Sequence, residues 1–215
     1  MSPELALMLL ADARLPVAGH TQSAGLEPAI MGGLTDVPAY IQARLATVTR
    51  TEAATAVVAR SYLLAARPLV EVTQAWAART PSAPLRTASR MQGAALLRLL
   101  GRLLGERLPV TDLIDAPRGC VLGAAAVAYG LAGDSVARLI AYDEVASITA
   151  AALKLTPMDP AVATQWVVAA MPGIEALVAD VAGLDEADDI PAYSAPQIEE
   201  WTYIHSRTTR RLFRA

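Results

Sequence analysis

Apolar residues recur along this chain at spacings of three and four from one end to the other, and no run alternates with period two for long enough to make a strand. Ser2 followed by Pro3 is an N-cap with proline at the first helical position, and Leu5, Met8 and Leu9 then share one face until Asp12. Pro16 ends that helix. Asp36 caps a helix carrying Val37, Ile41, Leu45 and Val48, and Thr51 starts another through Val57, Val58, Leu63 and Leu64. A shorter helix fits residues 69–78. The turn TPSAP at 80–84 precedes a long helix with Met91, Leu96, Leu97, Leu100 and Leu104. Pro109 and Pro117 bracket an irregular connection. Helices follow over 121–131 and over 135–155, the second behind Asp134 as cap. Asp159 and Pro160 then open a helix that should bend or stop before Pro172, which has no N–H to donate. The pattern predicts nine or ten helices in one compact all-α domain spanning 1–215.

The C-terminal end is the most polarised. Between 185 and 200 lie Asp185, Glu186, Asp188, Asp189, Glu199 and Glu200 with no base; between 201 and 215 lie Arg207, Arg210, Arg211 and Arg214 with no acid. Ser194-Ala195-Pro196-Gln197 has the form of a capping box, and the charges beyond it follow the helix dipole. On that helix Ile198, Trp201, Ile204, Thr208 and Leu212 form one stripe and the arginines an adjoining one. Two readings stay open: a terminal helix docked on the core with a solvated charged flank, or a recognition helix whose arginine edge meets an acidic partner.

Composition agrees with helices. Hydrophobic residues make up 54% of the 215 and aromatics only 5%, so the apolar weight is Ala, Leu and Val. The mean hydropathy of +0.36 raises the question of a membrane. The longest uncharged apolar stretch, from Cys120 to Gly133, has 14 residues, against the ~20 that a spanning helix needs. Glu4 in the first turn is unlike a secretory signal. The expectation is a cytoplasmic protein whose surplus apolar surface is covered by partners, including a second copy of itself. The single cysteine, Cys120, lies in an apolar run and reads as core. Two histidines 185 positions apart make no metal-ligand cluster, and no cofactor is implied. A net charge of −3 argues against nucleic acid.

The stretch LPVAGHTQSAGLE at 15–27 interrupts this regularity and offers Ser23 and His20 as nucleophile and base. The pattern is S-A-G-L-E rather than G-x-S-x-G, and no strand precedes it. No phosphate-cradling glycine motif occurs, and the one lysine, Lys154, has no glycine loop before it. The glycines at 101, 105, 123, 130 and 133 read as helix contacts or ends, and Asp143-Glu144 as a solvated pair on a helix. Catalysis is not expected, and the two ends fit surfaces for other proteins.

Taken together, those ends resemble the urease accessory protein UreF family. Its N-terminal motif, L-P-x-G-[GS]-F-[ST]-x-S-x-G-L-E, is matched at Leu15, Pro16, Thr21, Ser23, Gly25, Leu26 and Glu27. Its closing H-E-x-x-x-S-R-L-F-R-S is matched at His205, Arg211, Leu212, Phe213 and Arg214, with Arg90, Gly93, Gly123, Tyr142 and AAALKL in family order between. The resemblance implies an all-helical, non-catalytic adaptor in nickel insertion into urease. Such a protein dimerises, binds the accessory protein UreD (also called UreH), recruits the nickel-carrying GTPase UreG onto apo-urease, and modulates that GTPase. Read so, residues 195–215 form a partner-binding helix and tail, of which 201–215 would be weakly fixed when alone. Trp201, Leu212 and Phe213 would be apolar anchors, and His205, Arg207, Arg210, Arg211 and Arg214 polar contacts, with Ser23 and Glu27 from the N-terminal motif. The chain departs from the family at Ala18, His20, Pro28, Ser206, Arg210 and Ala215. A helical small-molecule-binding domain or enzyme, and a peripheral membrane protein, are the alternatives.

Overall fold

A computed structural model describes residues 1–15, 22–108, 110–209 and 212–213, and the following statements concern those. The helices are α1 (Pro3–Leu10), α2 (Leu26–Met31), α3 (Val37–Ala46), α4 (Val48–Leu64), α5 (Val70–Arg79), α6 (Ala83–Leu104), α7 (Arg118–Tyr129), α8 (Gly133–Leu155), α9 (Pro160–Val181) and α10 (Pro196–Arg207). Short 3-10 turns lie at Gly105–Arg107, Val110–Leu113 and Ala187–Asp189. The all-α expectation holds: no strand occurs among the described residues.

One hydrophobic core joins the helices, and α4 runs through it with α7 on one side and α8 on another. The α4–α7 contact is close because both faces are made of small residues. Ala53, Ala56 and Ala59 are wholly buried, and a Cβ on Gly123 would lie 2.6 Å from the Ala56 carbonyl oxygen. Gly119 and Gly93 meet backbone in the same way, at Glu52 and Ala116. Helix α9 folds back along α8 and crosses α3. Cys120 is fully buried, and burial pushes its thiol up to about 12.

Several boundaries depart from the sequence reading. Helix α4 begins at Val48, so Thr51 is not its cap; it sits buried and donates its hydroxyl to the Pro191 carbonyl at 3.1 Å. Helix α8 starts at Gly133, with Ala132 as N-cap in place of Asp134. Helix α9 does not stop before Pro172 but continues past it to Val181. The carbonyl deprived of its donor belongs to Val168, which is exposed and can be served by water. Gly173 faces α3, where a Cβ would lie 2.7 Å from Gln42 Oε1, the movable end of a side chain. By length and composition α9, with an 18-residue window of mean hydropathy 1.4, could cross a membrane, a stretch longer than any expected; it packs on α3 and α8.

The last helix is also shifted. Ala195 is its N-cap, and Glu199 rather than Gln197 reaches back to the Ala195 N–H, at 3.4 Å. Its buried face is Ile198, Thr202 and His205, while Ile204, expected inside, is 55% exposed. The helix ends at Arg207, so Leu212 lies beyond it and not on its stripe.

Candidate functional site

The N-terminal motif forms a tight turn. Ala24 and Gly25 both adopt left-handed backbone, with φ of 50° and 76°. At Gly25 a side chain is excluded twice over, by that φ and by the Tyr40 hydroxyl 2.8 Å from where a Cβ would sit. Tyr40 donates to the Ala24 carbonyl at 2.8 Å, and burial pushes its phenol up to about 12. Ser23 is wholly buried and its Oγ accepts the Glu27 N–H at 3.4 Å, two residues before the α2 N-cap Gly25.

This turn aims Glu27 at the C-terminal end. Its Oε1 accepts the Leu212 N–H at 2.6 Å and its Oε2 the Phe213 N–H at 2.9 Å. One buried carboxylate thus holds two consecutive backbone donors, a charge-assisted pair. His205 closes the arrangement. Its Nε2 is 3.2 Å from the Phe213 carbonyl oxygen, which can only accept, so that nitrogen carries a proton; it is also 3.8 Å from Glu27 Oε2. Phe213 is 3% exposed, with Lys154 Nζ 5.3 Å from its ring centre, whereas Leu212 is 63% exposed.

Of the residues expected at a partner surface, Ser23, Glu27, His205 and Phe213 are therefore brought together inside the chain as a clasp. Trp201 is half-buried, against Tyr40 and over Gly32. Arg207 is exposed, its guanidinium over the Tyr203 ring. His20, Arg210, Arg211 and Arg214 lie outside the described residues.

Beside the clasp lies a polar cluster that the sequence reading missed. Arg44, on the buried face of α3, binds Glu144 of α8 through both Nε and Nη2. Arg118 binds Asp143 at 2.6 Å, so Asp143-Glu144 is not a solvated pair but is fixed to two arginines. Trp76 donates to Glu52 at 2.9 Å, and burial raises the Glu52 carboxyl above its ordinary range. The available signal was Arg44 itself, three residues after Ile41 and four before Val48 on an otherwise apolar stripe. Among the described residues, no three His, Cys, Asp or Glu side chains converge as a metal site.

The sequence model of the UreF family matches residues 33–171, well over half of the chain. The chain belongs to the UreF family. A urease accessory protein UreF of Mycolicibacterium vanbaalenii is 31% identical over 218 residues, covering 99% of each chain. That of Mycobacterium sp. strain JLS is 32% identical over 209 residues, covering 96% of each. That of Mycobacterium tuberculosis is 32% identical over 160 residues, 74% of this chain and 75% of the relative. Membership places the chain in urease maturation. The UreF match itself holds α3 to α8 and part of α9; both halves of the clasp, Glu27 and Leu212-Phe213, lie outside it in the flanks that the longer alignments cover.

Proposed function

We propose that this chain is a non-catalytic adaptor of urease maturation, one domain over 1–215 that works in the cytoplasm as a homodimer. It bridges the accessory protein UreD (UreH) and the nickel-carrying GTPase UreG on apo-urease, and tunes that GTPase. Nickel is cargo of the assembly rather than a resident of this chain.

The observation that carries this reading is the presentation made by the clasp. Glu27 and His205 fix the backbone at 212–213 so that Phe213 points inward and Leu212 outward. Exposed Tyr203, Ile204 and Arg207 lie on the same terminal segment. Apolar side chains beside arginines suit a partner surface in which charge guides encounter and a few anchors set lifetime. Trp201, Arg207, Leu212 and the arginines at 210, 211 and 214 are proposed to touch the partner, and Ser23, Glu27, His205 and Phe213 to hold them in place. Helix α9 offers a second apolar face, with Val168 and Met171 exposed, and this supports pairing with another copy.

Co-expression with UreD and UreG followed by isolation of the complex tests the proposal. Wild-type protein should co-purify with both, and Arg211→Ala/Arg214→Ala should remain helical yet lose most of the complex. Full recovery of the complex with that double variant would overturn the assignment.

A further inference from the structure

The N-terminal turn is held from α3. Tyr40 and Arg44 stand one helical turn apart on the buried face of that helix, and both reach Gly25. A Cβ on Gly25 would lie 2.8 Å from the Tyr40 hydroxyl, 3.7 Å from Arg44 Nη1 and 3.8 Å from Thr202 Oγ1 of α10. Two residues further on, Glu27 holds the N–H groups of Leu212 and Phe213. Arg44 is itself fixed by Glu144 of α8, through both Nε and Nη2.

These contacts make one unbroken path. It runs from Glu144 to Arg44, from Arg44 to the Tyr40 phenol oxygen, and from Tyr40 to the Ala24 carbonyl. The Ala24-Gly25 turn then aims Glu27 at the terminal backbone. Arg44, Tyr40 and Glu27 are all buried, where a lost polar contact is not simply replaced by water. An alanine in left-handed backbone is strained, and the Tyr40 bond falls on that alanine's own carbonyl.

The path also closes on itself. Lys154 Nζ lies 5.3 Å from the centre of the Phe213 ring, and Lys154 is ten residues from Glu144 on α8, about 15 Å along the helix. One helix thus grips both ends. Helix α10 stops at Arg207 and Leu212 is exposed, so the segment beyond α10 is the side that can open.

We propose that Tyr40 and Arg44 are positioning residues that couple α8 to the docking of the terminal segment, which closes when Glu144 holds Arg44 and opens when it does not. Helix α9 packs along α8, so a protein settling on that side would be felt at residues 212–213. The coupling is a property of the isolated chain and does not rest on the adaptor reading.

Amide hydrogen exchange of the purified full chain, read at Leu212 and Phe213 in a double-mutant cycle, tests it. Glu144→Gln should speed exchange of the two amides by about tenfold in the wild-type background, within the usual range of coupling between sites. In Glu27→Gln, where the two donors have already lost their carboxylate, the same substitution should add less than about twofold. Tyr40→Phe removes only the hydroxyl, should show the same non-additivity, and carries the cycle if Glu144→Gln fails to fold. A role in overall stability alone would give equal factors in both backgrounds. Equal factors, or no acceleration at Leu212 and Phe213, would overturn the proposal.

Discussion

The carboxylate of Glu27 accepts the backbone N–H of Phe213 at 2.9 Å, joining residues 186 positions apart through a bond to main chain rather than to a side chain. The neighbouring N–H of Leu212 takes the other oxygen. Glutamine at 27 keeps one acceptor and turns an NH2 toward the second donor. We expect Glu27→Gln to cost about 2 kcal/mol, the order of a buried charge-assisted bond lost. Urea denaturation measures that cost, and limited trypsin digestion should cut faster after Arg207 once the clasp loosens. Unchanged stability and an unchanged digest would show that the clasp does not hold the end.

The α4–α7 contact predicts opposite results for two glycines. At Gly123 a Cβ would strike the Ala56 carbonyl oxygen at 2.6 Å, and backbone on both sides leaves nothing flexible to yield. Gly123→Ala should therefore destabilise by about 2 kcal/mol or more. At Gly101, inside α6, a Cβ meets nothing within 4 Å. Gly101→Ala should stabilise by about 0.5–1 kcal/mol by restricting the unfolded chain. Thermal unfolding of the two variants side by side checks the contrast, and a gain at Gly123 would refute the close packing.

Much of this fold is legible in the sequence because helical periodicity and capping chemistry are local. Ser2-Pro3, Asp36 and Asp159-Pro160 cap the helices that they announce. What the sequence hides is set by contacts between distant segments. Thr51 looks like a helix start but serves the Pro191 carbonyl from the middle of α4. Pro172 looks like a stop, yet α9 continues through it, and Val168, whose carbonyl loses its donor, is an exposed residue. The terminal helix turns Thr202 and His205 inward instead of Ile204, because Glu27 and Phe213 offer His205 polar company that a hydrophobic stripe cannot register. The polar cluster around Arg44 was readable only as one charge on an apolar face; its partner Glu144 is 100 residues away.

Glu52 gives the stability a sign with pH. Burial raises its carboxyl above the ordinary range, against the hydrogen bonds from Trp76 and Ser89 that favour the charged form. A carboxyl whose folded value is raised contributes most below its unfolded pKa of roughly 4.3, and that contribution is lost as pH rises through the folded value. Glu52→Gln stays neutral and keeps an oxygen for the Trp76 N–H. The variant should thus gain on wild type as pH goes from 4 to 7. Denaturation of both proteins at the two pH values measures this, and a difference that is constant or runs the other way would count against a strained Glu52.

Leu212 and Phe213 are adjacent, held by the same carboxylate, and face opposite ways, so they separate holding from binding. Phe213 is buried against the core beside Lys154, and Phe213→Ala should cost about 3 kcal/mol of stability. Leu212 projects into solvent, and Leu212→Ser removes apolar surface without touching the backbone bond to Glu27. Its effect on stability should stay within about 0.5 kcal/mol. If the outward face of this segment is the partner surface, Leu212→Ser should weaken co-purification with UreD by about tenfold, as expected for an exposed apolar anchor. Isothermal unfolding of the variants and quantitative pull-down from co-expressing cells test the two halves independently. A Leu212→Ser protein that is stable and assembles like wild type would move the partner surface away from the clasp.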